Sequence, residues 1–435
     1  MNKTRNYIPC KSSKKQVMIF DYLVSCAILL GSLSVYHKSG YSNYVLFICY
    51  LTVFISLVSI YVINHKKRYV ISHSLSIGII VFFINYIPIA LLFLLQGNSF
   101  KSGGYLRCIL LCIFTPLCVS YLVAKCSYLK EFLYRFVRSM SALVCVGIPL
   151  WVLYIFGIVN PNCRIMLTWA DNPTKEGLYG LVFFTSNINL GLQKNLTRFT
   201  SIYVEGPVFA GVLLIVLSIA LYWSKNTIFD IVILTVAGYL SFTTTFLVLF
   251  PLLLFPKLII YFNSLSKSKR YIFIKYIAYI FLILSLVIGI YVILLSLREK
   301  MGTDSGSKHF QDILSGLLAF AESPVVGHGL GNYQEAWASF SVSGGISQSS
   351  AFMATLSEGG LLLIVLYTIP FFVLLLRLFL RRNLLKAIPL IIGFVVFVIC
   401  ILDQALITYF IISLCYCLLD SIYLRKENRC HINQQ

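Results

Sequence analysis

Apolar stretches of about 20 residues recur along the whole chain, and this recurrence limits the possible folds more than any other feature. Each stretch is long enough to cross the roughly 30 Å of hydrocarbon in a lipid bilayer. Only 11% of the 435 residues are charged, whereas a soluble globular domain carries about 25%. Backbone groups inside a bilayer must be paired within the protein, which a helix does by itself. We therefore predict an all-α integral membrane protein.

The apolar stretches predict about twelve transmembrane helices, with boundaries set by the length that crosses the hydrocarbon core. They form one polytopic domain that covers residues 1–435. The predicted spans are 19–36, 44–63, 70–95, 105–124, 139–159, 203–223, 228–241, 243–262, 272–296, 352–376, 386–402 and 405–423.

The basic residues decide how residues 228–262 are divided into helices. Two short helices around SFTTT (241–245) leave every basic cluster of the chain on the same side of the membrane. A single long helix would move all later clusters to the other side, against the rule that Lys and Arg concentrate in cytoplasmic loops. We therefore predict two spans here and both chain ends in the cytoplasm. Two long loops, at about 160–202 and 298–351, then lie outside.

Composition also excludes several classes of function. The net charge of +20 comes from short loops between apolar stretches, so it indicates topology and not a nucleic-acid partner. No Cys or His residues have the spacing of a metal site, and no cofactor is expected. The inner parts of nearly all spans lack ionisable residues, which argues against an ion-coupled transporter. A flippase with a neutral polar lumen remains an alternative.

The first long loop ends in KNLTRFTSIYVEGP (194–207), which contains Arg198 and Glu205. These residues are seven apart, so a helix would place them on one face, about two turns from each other. An arginine at this position can hold a phosphate through two hydrogen bonds, and a carboxylate beside it can accept a proton from a sugar hydroxyl. An interfacial ion pair that anchors the helix end is an equally good interpretation.

Four further charged residues of the first loop are interpreted mainly as a solvated loop face, because charged loop residues usually face water. Arg164 is kept among them as a candidate for substrate binding. The four are Arg164, Asp171, Lys175 and Glu176.

The second long loop contains PVVGHGLGNY (324–333) and leads to Glu358 inside the next span. Its glycines either allow backbone amides to approach an anion or form a flexible turn, and spacing alone favours the turn. No predicted strand precedes them, so a dinucleotide site is not expected. His309 and His328 are candidate acid–base or phosphate-binding groups, or ordinary surface histidines. Glu358 requires a partner, either a basic group or a helix terminus, because an unpaired carboxylate inside a span is costly.

A short helix is predicted earlier in the second loop, either on the membrane surface or packed on the bundle. Its apolar residues recur at helical spacing. They are Phe310, Ile313, Leu314, Leu317 and Leu318.

Three of these segments together resemble the bacterial O-antigen polymerase and O-antigen ligase superfamily of integral membrane glycosyltransferases. RFTSIYVEGPVFAG is similar to its pattern of an arginine before a helix that starts with Glu-Pro-like residues. ILSGLLAFAESPVVGHGLGNY resembles its amphipathic helix followed by a glycine-rich run, and SSAFMATLSEGG its L-x-E-x-G segment. Ser349 and Ser350 stand where the ligases carry a His-Asn pair, which favours a polymerase. The arginine usual in the second loop is also absent, with Lys308 or His309 as substitutes.

The resemblance implies glycosyl transfer on the periplasmic face of the bacterial inner membrane. The substrate would be an oligosaccharide linked to undecaprenyl diphosphate, and membrane lipids and a chain-length regulator protein are the other expected partners. It implies Arg198 and Glu205 as catalytic residues. Residues implied in substrate binding are Arg164, Arg298, Lys308, His309, His328 and Glu358. A ligase that transfers polymer to lipid A–core and a lipid-linked oligosaccharide flippase remain alternatives, with a non-catalytic scaffold the least favoured.

Overall fold

A computed structural model of the chain shows a mostly helical protein. Arg298, Asp171 and the predicted span 272–296 lie outside the residues that the structure describes. The described residues are 11–63, 68–97, 101–168, 173–184, 187–188, 196–264, 304–340, 350–400, 402 and 404–432.

The helices follow the apolar stretches of the sequence. In the first half of the chain they are α1 (Lys11–Leu30), α2 (Ser42–Ile63), α3 (Arg68–Gln96), α4 (Ser102–Ile109), α5 (Thr115–Ala124) and α6 (Leu129–Ile155). A π-helical turn, Leu110–Phe114, joins α4 and α5 into one rod. The later helices are α7 (Gly206–Tyr222), α8 (Ile228–Leu240), α9 (Thr244–Ser264), α10 (Asp304–Glu322), α11 (Tyr333–Ala338), α12 (Ala351–Leu380), α13 (Ile388–Ile399) and α14 (Leu406–Ile432).

Within the described residues, five helical stretches are long and apolar enough to cross a membrane, and six shorter apolar helices accompany them. Large apolar side chains remain exposed on the outside of the bundle, including Phe47, Ile87 and Leu94. A soluble monomer rarely exposes so much contiguous apolar surface. The chain is therefore a membrane protein. The five long stretches are Ser42–Ile63, Val70–Gln96, Gly104–Ala124, Leu129–Ile155 and Ala351–Leu380.

The division of residues 228–262 into two helices is confirmed, because α8 ends at Leu240 and α9 begins at Thr244. Two other predicted boundaries are wrong. The first helix ends at Leu30 instead of residue 36, since Leu33 adopts a left-handed backbone conformation with φ of 57°. The helix predicted over 139–159 begins at Leu129, because its charged first turns still bury Phe132 and Phe136 against the bundle.

The prediction of a purely helical fold is wrong for the first long loop, which forms two small antiparallel sheets. One sheet has the order β1 (Cys163–Met166), β2 (Thr174–Leu178) and β3 (Val182–Phe183). The other pairs β4 (Asn187–Ile188) with β5 (Leu196–Thr197). Strands of two to five residues rich in charge carry too little apolar alternation to be recognised in the sequence.

Several loops meet at one end of the bundle, which we call the loop end. Residues 31–41 pair there with the first long loop, through bridges from Ser34 to Tyr203 and from Ser39 to Leu167. The amide of Phe199 donates to the carbonyl of Leu240, in the turn between α8 and α9. Three of the predicted outward connections are thus brought together in space.

The opposite end of the bundle, which we call the basic end, carries charged groups of the other connections. The indole of Trp223, at the end of α7, donates to the carbonyl of Lys386 before α13. Asp21 of α1 is 1% exposed and pairs with Lys125 and Arg135. A buried carboxylate needs partners of this kind, since its desolvation is otherwise costly.

Candidate functional site

Arg198 and Glu205 lie close together at the start of α7, as the sequence predicted, but a helix does not bring them together. Residues 198–205 have irregular backbone, and Glu205 is the N-cap of α7 with an extended conformation (φ −151°, ψ 157°). The Glu205 side chain makes no capping hydrogen bond. Nη1 of Arg198 reaches the first residue of the helix, 3.5 Å from where a Cβ on Gly206 would lie. Both side chains therefore lie at the mouth of α7, where each acts electrostatically on the other.

Hydrogen bonds to backbone carbonyls hold the irregular segment, and Thr197 before it, against three other parts of the protein. The amide of Phe183 donates to the carbonyl of Ser201 (2.9 Å), and the amide of Val35 donates to that of Ile202 (2.8 Å). The indole of Trp151 donates to the carbonyl of Thr197 (3.1 Å). Each of these hydrogen bonds fixes the backbone of a residue near Arg198. None of them uses the Arg198 side chain.

Burial and charge act in opposite directions on the two side chains. Burial raises the pKa of the Glu205 carboxyl above its usual value, although Lys175 and Arg198 act to lower it. Burial also lowers the pKa of the Arg198 guanidinium, against the opposing effect of Glu205. Nε of Arg198 is buried and has no hydrogen-bond partner among the described residues. A buried donor of this kind in a native protein calls for an explanation, such as a ligand that is absent.

A pocket of 620 Å³ opens beside this pair. Its wall includes Thr197, the neighbour of Arg198 in the chain, and Lys175, which acts electrostatically on Glu205. Two stacked rings, Tyr154 at the end of α6 and Phe184 after β3, form another part, with centroids 3.6 Å apart. The volume falls within the range of about 300–1,000 Å³ that small-molecule sites occupy.

Arg164 lies in the rim of the same pocket and pairs with Glu176 directly opposite on the neighbouring strand. Its Nη2 and Nε lie 2.7 and 3.1 Å from one oxygen, Oε1 of Glu176. Both side chains are exposed, 74% and 45% respectively. Arg164 and Glu176, two of the four charged residues predicted as a solvated loop face, are therefore exposed. They also line the pocket.

Glu358 has the basic partner that the sequence required. Its Oε2 lies 2.6 Å from Nη1 of Arg107 on α4, with the two side chains 0% and 1% exposed. Gln96 supports the same region, since its carboxamide donates to the carbonyl of Glu358 (2.9 Å) and accepts from the amide of Leu330 (3.2 Å). In this structure Glu358 is thus part of a buried ion pair between helices.

The glycine-rich run packs against a break in α12 next to Glu358. Gly360 has φ 56° and ψ −150°, a conformation that interrupts the helix. The amides of His328 and Gly329 donate to the carbonyls of Ser357 and Glu358, at 2.9 and 3.1 Å. The amides of Leu361 and Leu362 donate in return to the carbonyls of Pro324 and Val325, at 2.9 and 3.2 Å. The run therefore replaces hydrogen bonds that the break removes from the helix.

These contacts revise both interpretations of the glycines. The amides of Gly327, His328, Gly329 and Leu330 all donate to other parts of the protein, so they do not form an anion-binding cradle. The run is also not a loose turn, because a Cβ on Gly327 would lie 2.4 Å from the backbone carbon of Glu358. Glycine is needed here for close approach of two backbones.

The remaining candidates of the second loop do not join Arg198 and Glu205 in any described contact. Nε2 of His328 lies 2.7 Å from the carbonyl oxygen of Ala319 and 3.7 Å from Glu322, so the ring caps the end of α10. Lys308 and His309 lie in the first turns of α10, and their side chains fall outside the described part of the chain.

The predicted helix of the second loop is confirmed as α10, but its apolar residues do not face the bundle. Phe310 and Leu314 are 65% and 47% exposed, whereas Asp312 on the opposite face is 3% exposed. Gly316 faces Met353 and Trp337, at the contact between α10, α11 and α12. The apolar face of α10 is therefore turned outward, as on a helix that contacts lipid.

The two motif-bearing helices α7 and α12 begin beside the same residue, Cys400 at the end of α13. Its thiol lies 3.7 Å from the carbonyl oxygen of Pro207, and its carbonyl accepts from the amide of Ala351 (3.1 Å). Ser350 caps α12 through the amide of Met353 (3.3 Å). The segments RFTSIYVEGP and SSAFMATLSEGG thus meet at the loop end.

Sequence reasoning missed three features of the site. Lys175, on β2, acts electrostatically on Glu205, and short strands gave no signal. The ring pair of Tyr154 and Phe184 joins a helix end to a loop. Arg107 could have been found as the partner of Glu358, because both are single charges within apolar stretches near the same end of the bundle.

Within the described residues, no group of three or more His, Cys, Asp or Glu side chains could hold a metal ion. No protein-family model matches this chain, and no curated protein matches it either.

Proposed function

We propose that this protein is a membrane glycosyltransferase that joins lipid-linked oligosaccharide repeat units into a surface polysaccharide. The observation that carries the proposal is the pair of Arg198 and Glu205 at the start of α7, beside a polar pocket. The buried Nε of Arg198 has no partner within the described structure, which fits a guanidinium arranged for an anionic ligand.

In this proposal Arg198 binds the diphosphate of an undecaprenyl-diphosphate-linked oligosaccharide. A guanidinium presents two parallel N–H groups that match the oxygens of a phosphate. The N-terminus of α7 adds positive partial charge at the same place. As the donor bond breaks, negative charge grows on the leaving diphosphate, and these groups stabilise it more strongly than they stabilise the substrate.

Glu205 acts as the general base. It takes the proton from a hydroxyl of the acceptor sugar while that oxygen forms a bond to the anomeric carbon of the donor. The bond between the anomeric carbon and the phosphate oxygen breaks, and its electron pair leaves with undecaprenyl diphosphate. Burial raises the pKa of Glu205 from its usual value, which makes it a better proton acceptor at neutral pH.

The topology that serves this chemistry has twelve spans in the bacterial inner membrane, with both chain ends in the cytoplasm and the loop end outside. The gathering of Ser34, Leu167, Phe199 and Leu240 at one end of the bundle supports it, as does the cluster of Lys125 and Arg135 at the other. Residues 241–243, between α8 and α9, belong to the loop end, as two separate spans require.

Deletion of the gene, followed by gel analysis of the surface polysaccharide, tests this function. A polymerase mutant would carry a single repeat unit on each core, and the full chain would restore the ladder. Polymer that accumulates on undecaprenyl diphosphate would indicate a ligase instead. Loss of all repeat units from the periplasm would indicate a flippase, and an unchanged ladder would refute the enzyme.

A further inference from the structure

The pocket beside Arg198 and Glu205 has the chemistry of a sugar-binding site. One part of its wall is aromatic, the stacked rings of Tyr154 and Phe184 with an angle of 17° between their planes. A pyranose ring has an apolar face of C–H groups that packs on an aromatic ring, and hydroxyls around its edge. Aromatic side chains combined with a few placed polar groups are the usual composition of small-molecule sites.

The rim of the pocket supplies the polar groups. The Arg164 guanidinium donates two hydrogen bonds to Oε1 of Glu176. Oε2 of Glu176 accepts no hydrogen bond from the described residues. A carboxylate oxygen accepts from hydroxyl groups, and the remaining guanidinium N–H groups donate to them. Adjacent hydroxyls on one sugar can therefore bind both members of the pair.

The position of the pocket fits the acceptor better than the donor. Lys175 in its wall acts electrostatically on Glu205, so the pocket lies within electrostatic range of the proposed base. The pocket is lined by β1, β2, β5, Phe184 and the last turn of α6, and none of its described lining residues belongs to α7, where the lipid diphosphate is proposed to bind.

We infer that this pocket binds the acceptor sugar, a pyranose packed against one outer face of the Tyr154–Phe184 ring pair with its hydroxyls on Arg164 and Glu176. The inference rests on the proposed function, since an acceptor exists only for a glycosyltransferase. It adds a place for the substrate that the Arg198–Glu205 pair does not provide. Among the described residues of the wall, Arg164 and Lys175 outnumber Glu176, so the net charge of these residues disfavours a cationic sugar.

The test uses the full chain in lipid nanodiscs, with the lipid-linked repeat unit of the same cell as substrate. Tyr154→Leu removes the ring and keeps an apolar side chain, whereas Tyr154→Phe keeps the ring. Glu176→Gln changes a half-exposed side chain that does not endanger the fold. Met166→Ala is the control, since Met166 is exposed on the same strand as Arg164 and does not line the pocket.

We expect Tyr154→Leu and Glu176→Gln each to raise the KM for the acceptor by roughly tenfold, with kcat changed much less. Tyr154→Phe and the control stay within about twofold of the unmodified protein. The oligosaccharide released from the lipid by mild acid, used as a soluble probe, should show the same losses of affinity. A rise in the KM for the donor in place of the acceptor would overturn the assignment.

The two proposals fail in different ways. If the unmodified chain elongates but the pocket variants keep the acceptor KM within about twofold, the pocket is not the acceptor site and the glycosyltransferase stands. If the unmodified chain does not elongate, the proposed function fails. Binding of the soluble oligosaccharide then decides alone whether the pocket takes a sugar, and an affinity unaffected by Tyr154→Leu refutes it.

Discussion

Nη1 of Arg107 lies 2.6 Å from Oε2 of Glu358, and this pair joins α4 to α12 where both side chains are almost completely buried. Charges in such a place must be paired, because the desolvation of a lone ion in a nonpolar environment is very costly. The pair lies beside the break in α12 at Gly360, and Gln96 contacts the carbonyl of Glu358. The ion pair, together with Gln96, thus connects the glycine-rich run to the bundle.

Removal of one partner should therefore destabilise the protein strongly. We expect Arg107→Ala or Glu358→Ala to lower the free energy of unfolding by roughly 3–5 kcal/mol, because each removes the opposite charge from a buried ion pair. Replacement of both, as Arg107→Met with Glu358→Leu, should recover most of this loss. Unfolding in detergent micelles measures it. Arg377→Ala, an exposed charge on α12, is the control, and single variants no less stable than this control would contradict the prediction.

The break at Gly360 should tolerate no side chain. Gly360→Ala forces a left-handed φ of 56° on a residue with a Cβ, and that Cβ would lie 2.5 Å from the backbone of Val325. We expect a loss of stability of about 1–3 kcal/mol from the backbone strain, and more from the clash. Gly40→Ala is the matched control, since a Cβ there meets nothing within 4 Å. Equal melting temperatures for the two variants would show that the break is not required.

Substitution of Arg198 should lower the rate of elongation more than substitution of an ordinary charged surface residue. We expect Arg198→Ala to reduce the rate of elongation by roughly 10²–10³-fold, the usual effect of removing a group that stabilises transition-state charge. Arg198→Lys keeps the charge but not the two parallel N–H groups, so it should recover only part of the rate. Initial rates with the purified chain and a lipid-linked repeat unit measure both. A normal rate in Arg198→Ala would remove this residue from the site.

The raised pKa of Glu205 predicts a pH dependence with a definite sign. As a base Glu205 must be ionised, so elongation should decline as the pH falls through its raised folded pKa, above the range of an ordinary glutamate. Burial opposes the ionised form, so at neutral pH this residue lowers stability, and stability rises as the pH falls towards its unfolded pKa.

Glu205→Gln tests both consequences. The variant should be inactive yet more stable at neutral pH, by about 0.5–2 kcal/mol, since a neutral amide is less costly to bury. The gain should shrink in acid, where Glu205 itself is protonated. Unfolding measured at two pH values checks this, and a loss of stability at neutral pH would show that its pairing with Arg198 and Lys175 outweighs burial.

Reporter fusions test the proposed topology. Alkaline phosphatase, which is active only outside the cytoplasm, should be active when fused after Thr168 or Phe242. It should be inactive after Lys225 or Gln435. The pair of Lys225 and Phe242 is decisive, because these residues flank α8. Equal activity at both would mean that α8 does not cross the membrane.

The helical part of the fold was predictable because apolar stretches long enough to span a bilayer leave a strong signal in the sequence. The predicted helix boundaries were wrong where the local backbone conformation, and not the composition, decided where a helix ends. Apolar residues continue past Leu30, but Gly31 packs so closely on Leu406 of α14 that the chain turns there. The strands of the first loop were not predicted, since Arg164 and Glu176 pair across a hairpin in segments that look like any charged loop.

The candidate site was predictable in its residues but not in its geometry. Arg198 and Glu205 were found together, although a helix between them was the wrong reason. The electrostatic effect of Lys175 on Glu205 depends on where one hairpin places its side chains, and no local pattern encodes such a relation. The glycine-rich run was misread, because its sequence does not reveal that its amides already donate to α12, to Gln96 and to Ser323.

The close packing of this run on α4 and α12 has a consequence for saturation mutagenesis. Gly104, Gly327, Gly331 and Gly360 each face backbone atoms 2.4–2.6 Å from any added Cβ. In a library of all single substitutions these positions would reject every residue except glycine, as a catalytic position does. A map of mutational tolerance would therefore show these packing positions to be as intolerant of substitution as catalytic residues. Protein abundance, measured beside polymer length, would separate the two.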